Sequence, residues 1–112
     1  MIRTKCIYDA PSPDDGHRLL VMRMWPRGIR KDAVDEWQPD LGPSRGLIAD
    51  FRQGRIDWPQ FAARYQAEMS EKGELLARVR QQTQRETVTL LCSCADESRC
   101  HRTLLKGLLE QV

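Results

Sequence analysis

Residues 87–102, Thr-Val-Thr-Leu-Leu-Cys-Ser-Cys-Ala-Asp-Glu-Ser-Arg-Cys-His-Arg, constrain the fold more than any other stretch of this chain. Residues 87–91 form an apolar run fit for a buried strand, and three of the four cysteines and one of the two histidines follow it. Leu104, Leu105, Leu108, Leu109 and Val112 then recur at helical spacing, as one face of a closing helix. The reactive side chains therefore belong to a strand-to-helix turn. In parallel α/β sheets such turns, at the carboxyl ends of the strands, are where ligands bind.

The rest of the chain supports that reading. A short strand is expected over residues 3–9, and Pro11-Ser12-Pro13-Asp14-Asp15-Gly16 is a dense turn signal. Arg18 to Trp25 reads as a second strand. Its Leu19, Leu20, Val21 and Met22 are continuous rather than alternating, which suits a strand covered on both faces, and Pro26 ends it. Residues 26–43 look irregular. Ser44 can cap a short helix that buries Leu47, Ile48 and Phe51. Asp57-Trp58-Pro59-Gln60 has the form of a capping box, opening a helix with Phe61, Tyr65 and Met69 on one face. Leu75, Leu76 and Val79 give a further helical face beyond Gly73.

Strand, strand, helices, strand, helix predicts a small three-layer α/β domain spanning residues 1–112, with a mostly parallel sheet and helices on both faces. Strand 18–25 should be central, with 87–93 parallel beside it. At 112 residues the chain can bury roughly two-thirds of its unfolded surface and needs no disulfides. A net charge of +2 is too small to argue for or against a nucleic-acid partner. No apolar run approaches the roughly 20 residues that span a bilayer, and the first residues lack a signal-peptide core. A cytoplasmic, reducing location is expected, where clustered cysteines serve as thiols, metal ligands or catalytic groups rather than disulfides.

Two constellations can carry chemistry. In the first, Cys94 lies where the strand runs out, and Cys100 lies near a helix start between Arg99 and Arg102. Both placements favour a thiolate, with His101 adjacent as a general base. Cys92 reads as a small core hydrophobe. Cys92, Cys94, Cys100 and His101 make up a complete zinc ligand set, but adjacent Cys100 and His101 are poorly spaced for a shared ion, and no metal or other cofactor is assigned. In the second constellation, Arg23 falls inside an apolar strand and needs a carboxylate or a bound anion, with Asp9, Asp35 and Glu36 as candidate partners. Arg27 follows Pro26 on an exposed turn, and Gly28 can supply a positive φ. Together, Arg23, Trp25 and Arg27 would form one wall of a site. Cys92, Ser93, Cys94, Cys100, His101 and Arg102 would form the other.

The segments Tyr8 to Gly16, Arg23-Met24-Trp25-Pro26-Arg27-Gly28, Asp35-Glu36-Trp37, Leu41-Gly42-Pro43-Ser44 and the Leu-Leu-Cys…Cys-His-Arg ending resemble domain-of-unknown-function family 488. The resemblance runs in order over nearly the whole chain. It implies a small α/β protein of bacterial or archaeal type, and it marks Arg23, Trp25, Pro26, Arg27, Gly28 and Cys100-His101-Arg102. The family name assigns no activity. The functional expectation is a small anionic ligand, phosphate- or nucleotide-like, bound at the carboxyl end of the sheet and open to cysteine chemistry. A nucleic-acid or protein interaction module and a Cys/His metal domain are the alternatives.

Overall fold

The computed structural model describes residues 1–111. Four strands, β1 (Ile2–Cys6), β2 (His17–Leu20), β3 (Glu36–Trp37) and β4 (Val88–Cys92), form one sheet in the order β1-β4-β2-β3. All three pairings are parallel. Four α-helices accompany it: α1 (Arg45–Arg52), α2 (Trp58–Met69), α3 (Gly73–Arg85) and α4 (His101–Glu110). This is the small α/β architecture with a parallel sheet expected from the sequence. β4 and β2 are the two interior strands, with Leu19 opposite Leu90 and Leu20 opposite Leu91. Val112, expected on the closing helical face, lies outside the described residues.

Local chemistry sets the element boundaries. Ser44 caps α1 by accepting from the Leu47 amide. Asp57 and Gln60 form the reciprocal capping box that opens α2, with Pro59 in the first turn where its missing N–H does no harm. Phe61, Tyr65 and Met69 are the buried face of α2, as their four-residue spacing requires. A second capping box, Ser12 with Asp15, was not foreseen within the Pro11–Gly16 turn.

The sheet's two faces are covered differently. Leu19, Val21, Val88 and Leu90 pack with Leu47 of α1, Phe61 and Tyr65 of α2, Val79 of α3 and Leu105 of α4. Leu20 and Leu91 point the other way, because successive strand side chains alternate. They meet Ile7 and the loop residues Met22, Trp25, Ile29 and Val34. The second face thus takes a loop containing a 3-10 turn at Lys31–Ala33, where a helical layer was expected.

Both early strands are shorter than their apolar runs. β1 stops at Cys6 rather than residue 9, because the chain turns there, with the Asp9 amide donating to the Cys6 carbonyl. β2 stops at Leu20 rather than Trp25. Beyond the last ladder bond, from the Val21 amide to the Leu91 carbonyl, the backbone of residues 22–23 packs on Gly42. A Cβ on Gly42 would lie 2.3 Å from the Arg23 nitrogen, so only glycine lets the two segments meet.

Candidate functional site

Because β2 and β4 are parallel neighbours, their carboxyl ends open at the same edge of the sheet. A cavity of about 140 Å³ lies there. Met22, Arg23 and Met24 after β2 and Cys92, Ser93 and Cys94 at the end of β4 form its floor and sides, and Arg99, Cys100 and His101 bring the start of α4 to it. Ile48, Phe51 and Arg52 of α1, with Pro43 and Phe61, close the far wall. No aspartate or glutamate lines the cavity among the described residues.

The sulfur atoms of Cys92, Cys94 and Cys100 all lie within 4.8 Å of one another, close enough for one metal ion to be held by all three. Cys92 Sγ and Cys94 Sγ are 3.7 Å apart. All four cysteines are free thiols, and Cys6 stands apart, its thiol directed to the Ser93 carbonyl. His101 is buried, and its Nε2 lies 2.5 Å from the Val21 carbonyl. A carbonyl only accepts, so Nε2 carries the proton. In the neutral ring Nδ1 is then an acceptor, and it faces Cys92 Sγ at 3.8 Å. Burial, partly opposed by the Val21 carbonyl, lowers the His101 pKa and keeps the ring neutral.

Arg102 is 1% exposed. Its Nη1 donates to the Cys94 carbonyl at 2.7 Å and to Cys100 Sγ at 3.5 Å, and its Nε has no acceptor among the described residues. No carboxylate lies within ion-pair distance of it among those residues. A buried guanidinium without a counter-charge is unfavourable by several kcal/mol. Its polar neighbours are the Cys94 carbonyl and Cys100 Sγ.

The thiols are not equivalent. Hydrogen bonds from Cys100 and then Cys92, reinforced by the charge of Arg102, outweigh partial burial and pull the half-buried Cys94 thiol well below its ordinary pKa. The same contacts, first with Cys100 and then with Cys94, push the buried Cys92 thiol up. At Cys100 the hydrogen bond with Cys92 lowers the pKa, but the contact with Cys94 and burial prevail and raise it to about 11. Of the two cysteines singled out in the sequence, the favoured thiolate is therefore Cys94. Cys100 adjoins two arginines in sequence, but it is fully buried in the fold.

The structure brings together Arg23, Ser93, Cys94, Cys100 and His101, with Arg102 directly behind them. It does not bring Trp25 and Arg27. Trp25 packs with Ile7, Leu20 and Leu91 on the sheet's other face, its indole donating to the Ile29 carbonyl, and Arg27 is exposed. Gly28 does take the expected positive φ, at 79°. Arg23 is half-buried, and its ion-pair partner is Asp40 at 3.2 Å rather than Asp9, Asp35 or Glu36, with the Gly42 and Pro43 carbonyls accepting as well. Asp35 instead accepts from the Arg18 amide. Asp96 and Glu97 do not line the cavity, and the Asp96 carboxylate accepts from the Ser98 amide and hydroxyl. Arg52 and the apolar wall from α1 were not foreseen. Cys92, expected as core filler, is a member of the sulfur cluster.

The family DUF488-N3a, described as "Active DUF488-N3 subclade", matches residues 2–112. "Uncharacterized protein YeaO" of Escherichia coli K12 is 33% identical over 113 residues, covering 99% of this chain and 98% of that protein. "Uncharacterized protein Rv3073c" of Mycobacterium tuberculosis H37Rv is 37% identical over 110 residues, covering 96% and 92%. No solved structure matches. With the family matched over essentially the whole chain and relatives aligned end to end, the chain belongs to the DUF488-N3a family.

Proposed function

We propose that this protein binds a small anionic ligand, of phosphate-like charge, in the cavity at the carboxyl ends of β2 and β4, where Cys94 presents its sulfur to the ligand. The observation that carries this reading is the cavity's charge. Arg23, Arg52 and Arg99 line it, Arg102 lies buried behind it, and no acidic side chain faces it. Arg52 and Arg99 hold no ion pair among the described residues. Guanidinium groups favour oxyanions because their planar fork matches two oxygens at once. α4 starts at the same place, with Cys100 and His101 at the cavity wall, so the positive end of its dipole lies beside the ligand position.

The volume favours a small molecule over a polymer. A cavity of about 140 Å³ is several times the space that one water needs. That accommodates a phosphate-sized group with a short apolar portion against Ile48, Phe51 and Phe61. The wild-type protein should bind inorganic phosphate or pyrophosphate saturably, more weakly as salt rises. The double variant Arg23→Gln/Arg99→Gln should lose about tenfold or more, since each lost charged hydrogen bond is about 1.5–3 kcal/mol. Cys6→Ser should bind as wild type. Absence of saturable binding, or equal binding by the double variant, overturns the reading.

A further inference from the structure

We propose that Cys92, Cys94 and Cys100 together hold one thiophilic divalent cation of the zinc class, with Arg102 as its buried counter-charge and the fourth coordination position open to the cavity. The proposal deepens the reading of this cavity as the functional site, but it does not need the anionic ligand. Three observations carry it.

The first is spacing. A tetrahedral ion with metal–sulfur bonds of about 2.3 Å sets its sulfurs about 3.8 Å apart. Cys92 and Cys94 are 3.7 Å apart. The other two sulfur pairs are within 4.8 Å, so closing them onto an ion asks for shifts of about 1 Å or less. The sequence objection to a zinc site was that adjacent Cys100 and His101 cannot both turn to one ion. In the structure His101 is not needed for the set: the three cysteines converge without it, while its Nε2–H is held by the Val21 carbonyl.

The second is charge. Three thiolates with a divalent ion carry a net charge of minus one, and Arg102 supplies the balancing positive charge within hydrogen-bond distance of Cys100 Sγ. A monovalent ion would leave one buried negative charge over. N–H donors to coordinating sulfur are the usual outer support of thiolate sites, so the Arg102 bond to Cys100 has a role in this arrangement that it lacks in an apolar core. The buried guanidinium otherwise has the Cys94 carbonyl as an acceptor but no counter-charge among the described residues.

The third is access. All three cysteines line the cavity, so the position opposite them faces solvent and ligand rather than protein. Three protein ligands with an open fourth position is the arrangement of reactive, not purely structural, zinc sites. On binding, each S–H proton is exchanged for a sulfur–metal bond and passes to solvent.

The test uses the full-length protein, reduced and stripped with a chelator, then titrated with Co(II) or Zn(II) alone. The expected result is one metal per chain, an intense sulfur-to-cobalt charge-transfer band with tetrahedral ligand-field bands, and protection of Cys92, Cys94 and Cys100 from iodoacetamide while Cys6 still labels. Cys94→Ser, at the most exposed of the three positions, should remain folded by its melting curve and weaken binding about 100-fold; Cys6→Ser should leave it unchanged. Metal binding below stoichiometry with all four thiols equally reactive, or full-affinity binding by Cys94→Ser, overturns the proposal. Phosphate titration of the metal-free protein is a separate readout: binding that persists there without any metal uptake sinks the metal site and leaves the ligand reading standing.

Discussion

Replacing Arg102 with methionine separates the structural and the chemical meaning of the site. The side chain is 1% exposed, so the wild-type fold carries the penalty of burying an ion, several kcal/mol after relaxation. Against this stand two charge-assisted hydrogen bonds, about 1.5–3 kcal/mol each, and the longer one to sulfur belongs at the low end. Methionine fills much of the same volume and removes the ion, but leaves the Cys94 carbonyl without its donor, a loss of about 1–3 kcal/mol. These effects nearly cancel, so metal-free Arg102→Met should unfold within about 1 kcal/mol of wild type. With metal bound, the same change leaves one uncompensated negative charge and should weaken Zn(II) about 10–100-fold. Paired urea denaturation with and without Zn(II) reads both effects. A metal-free variant destabilised by more than about 3 kcal/mol, with an unchanged zinc-induced gain, would show instead that the polypeptide alone balances the charge.

Three further outcomes are expected. Gly42→Ala forces a Cβ to within 2.3 Å of the Arg23 backbone nitrogen and should destabilise by about 1–3 kcal/mol in chemical denaturation, with a cavity too distorted to bind phosphate at wild-type affinity. Asp15 is buried between Lys5 and Arg18. Burial alone would raise its pKa, but the Ser12 amide, Lys5 and Arg18 outweigh it and hold the carboxyl below its ordinary value. A carboxyl depressed in the folded state adds stability above its unfolded pKa of about 3.8 and loses it as pH falls through the lower folded value. Asp15→Asn should therefore lower stability near neutral pH by about 3 kcal/mol and flatten the acid limb of the stability profile in urea titrations. In the metal-free protein, limited iodoacetamide labelling read by mass spectrometry should mark Cys94 first. First labelling at Cys100 would mean that the buried turn opens more readily than the fold allows.

The parts of the fold that the sequence disclosed were those governed by local chemistry. The Asp57–Gln60 box, the Ser44 cap and the four-residue spacing of Phe61, Tyr65 and Met69 each act within one turn of helix, so their outcome is written in neighbouring residues. The Leu-Leu-Cys run of β4 was legible because a strand buried on both faces must be continuously apolar. The end of β2 was not, because Val21, Met22 and Met24 look like more strand. What stops it is a glycine about twenty residues later and an apolar loop that claims Met22 and Trp25 for the opposite face. The same rerouting removed Trp25 and Arg27 from the site. Cys92 is buried as expected, but a buried cysteine looks alike in sequence whether it only fills space or also joins a cluster. Arg102 was named as a ligand-facing residue, and only the packing shows it behind the cysteines with no carboxylate to answer it.

The most direct measurement is anomalous diffraction from a crystal of the protein grown or soaked with tungstate, a heavy tetrahedral oxyanion. An anomalous peak is expected inside the cavity, within hydrogen-bond reach of Arg23 or Arg99 and beside Cys94. Tungstate bound only at surface arginines such as Arg55 or Arg85, with the cavity clear of it, would mean that the cavity is not an oxyanion site.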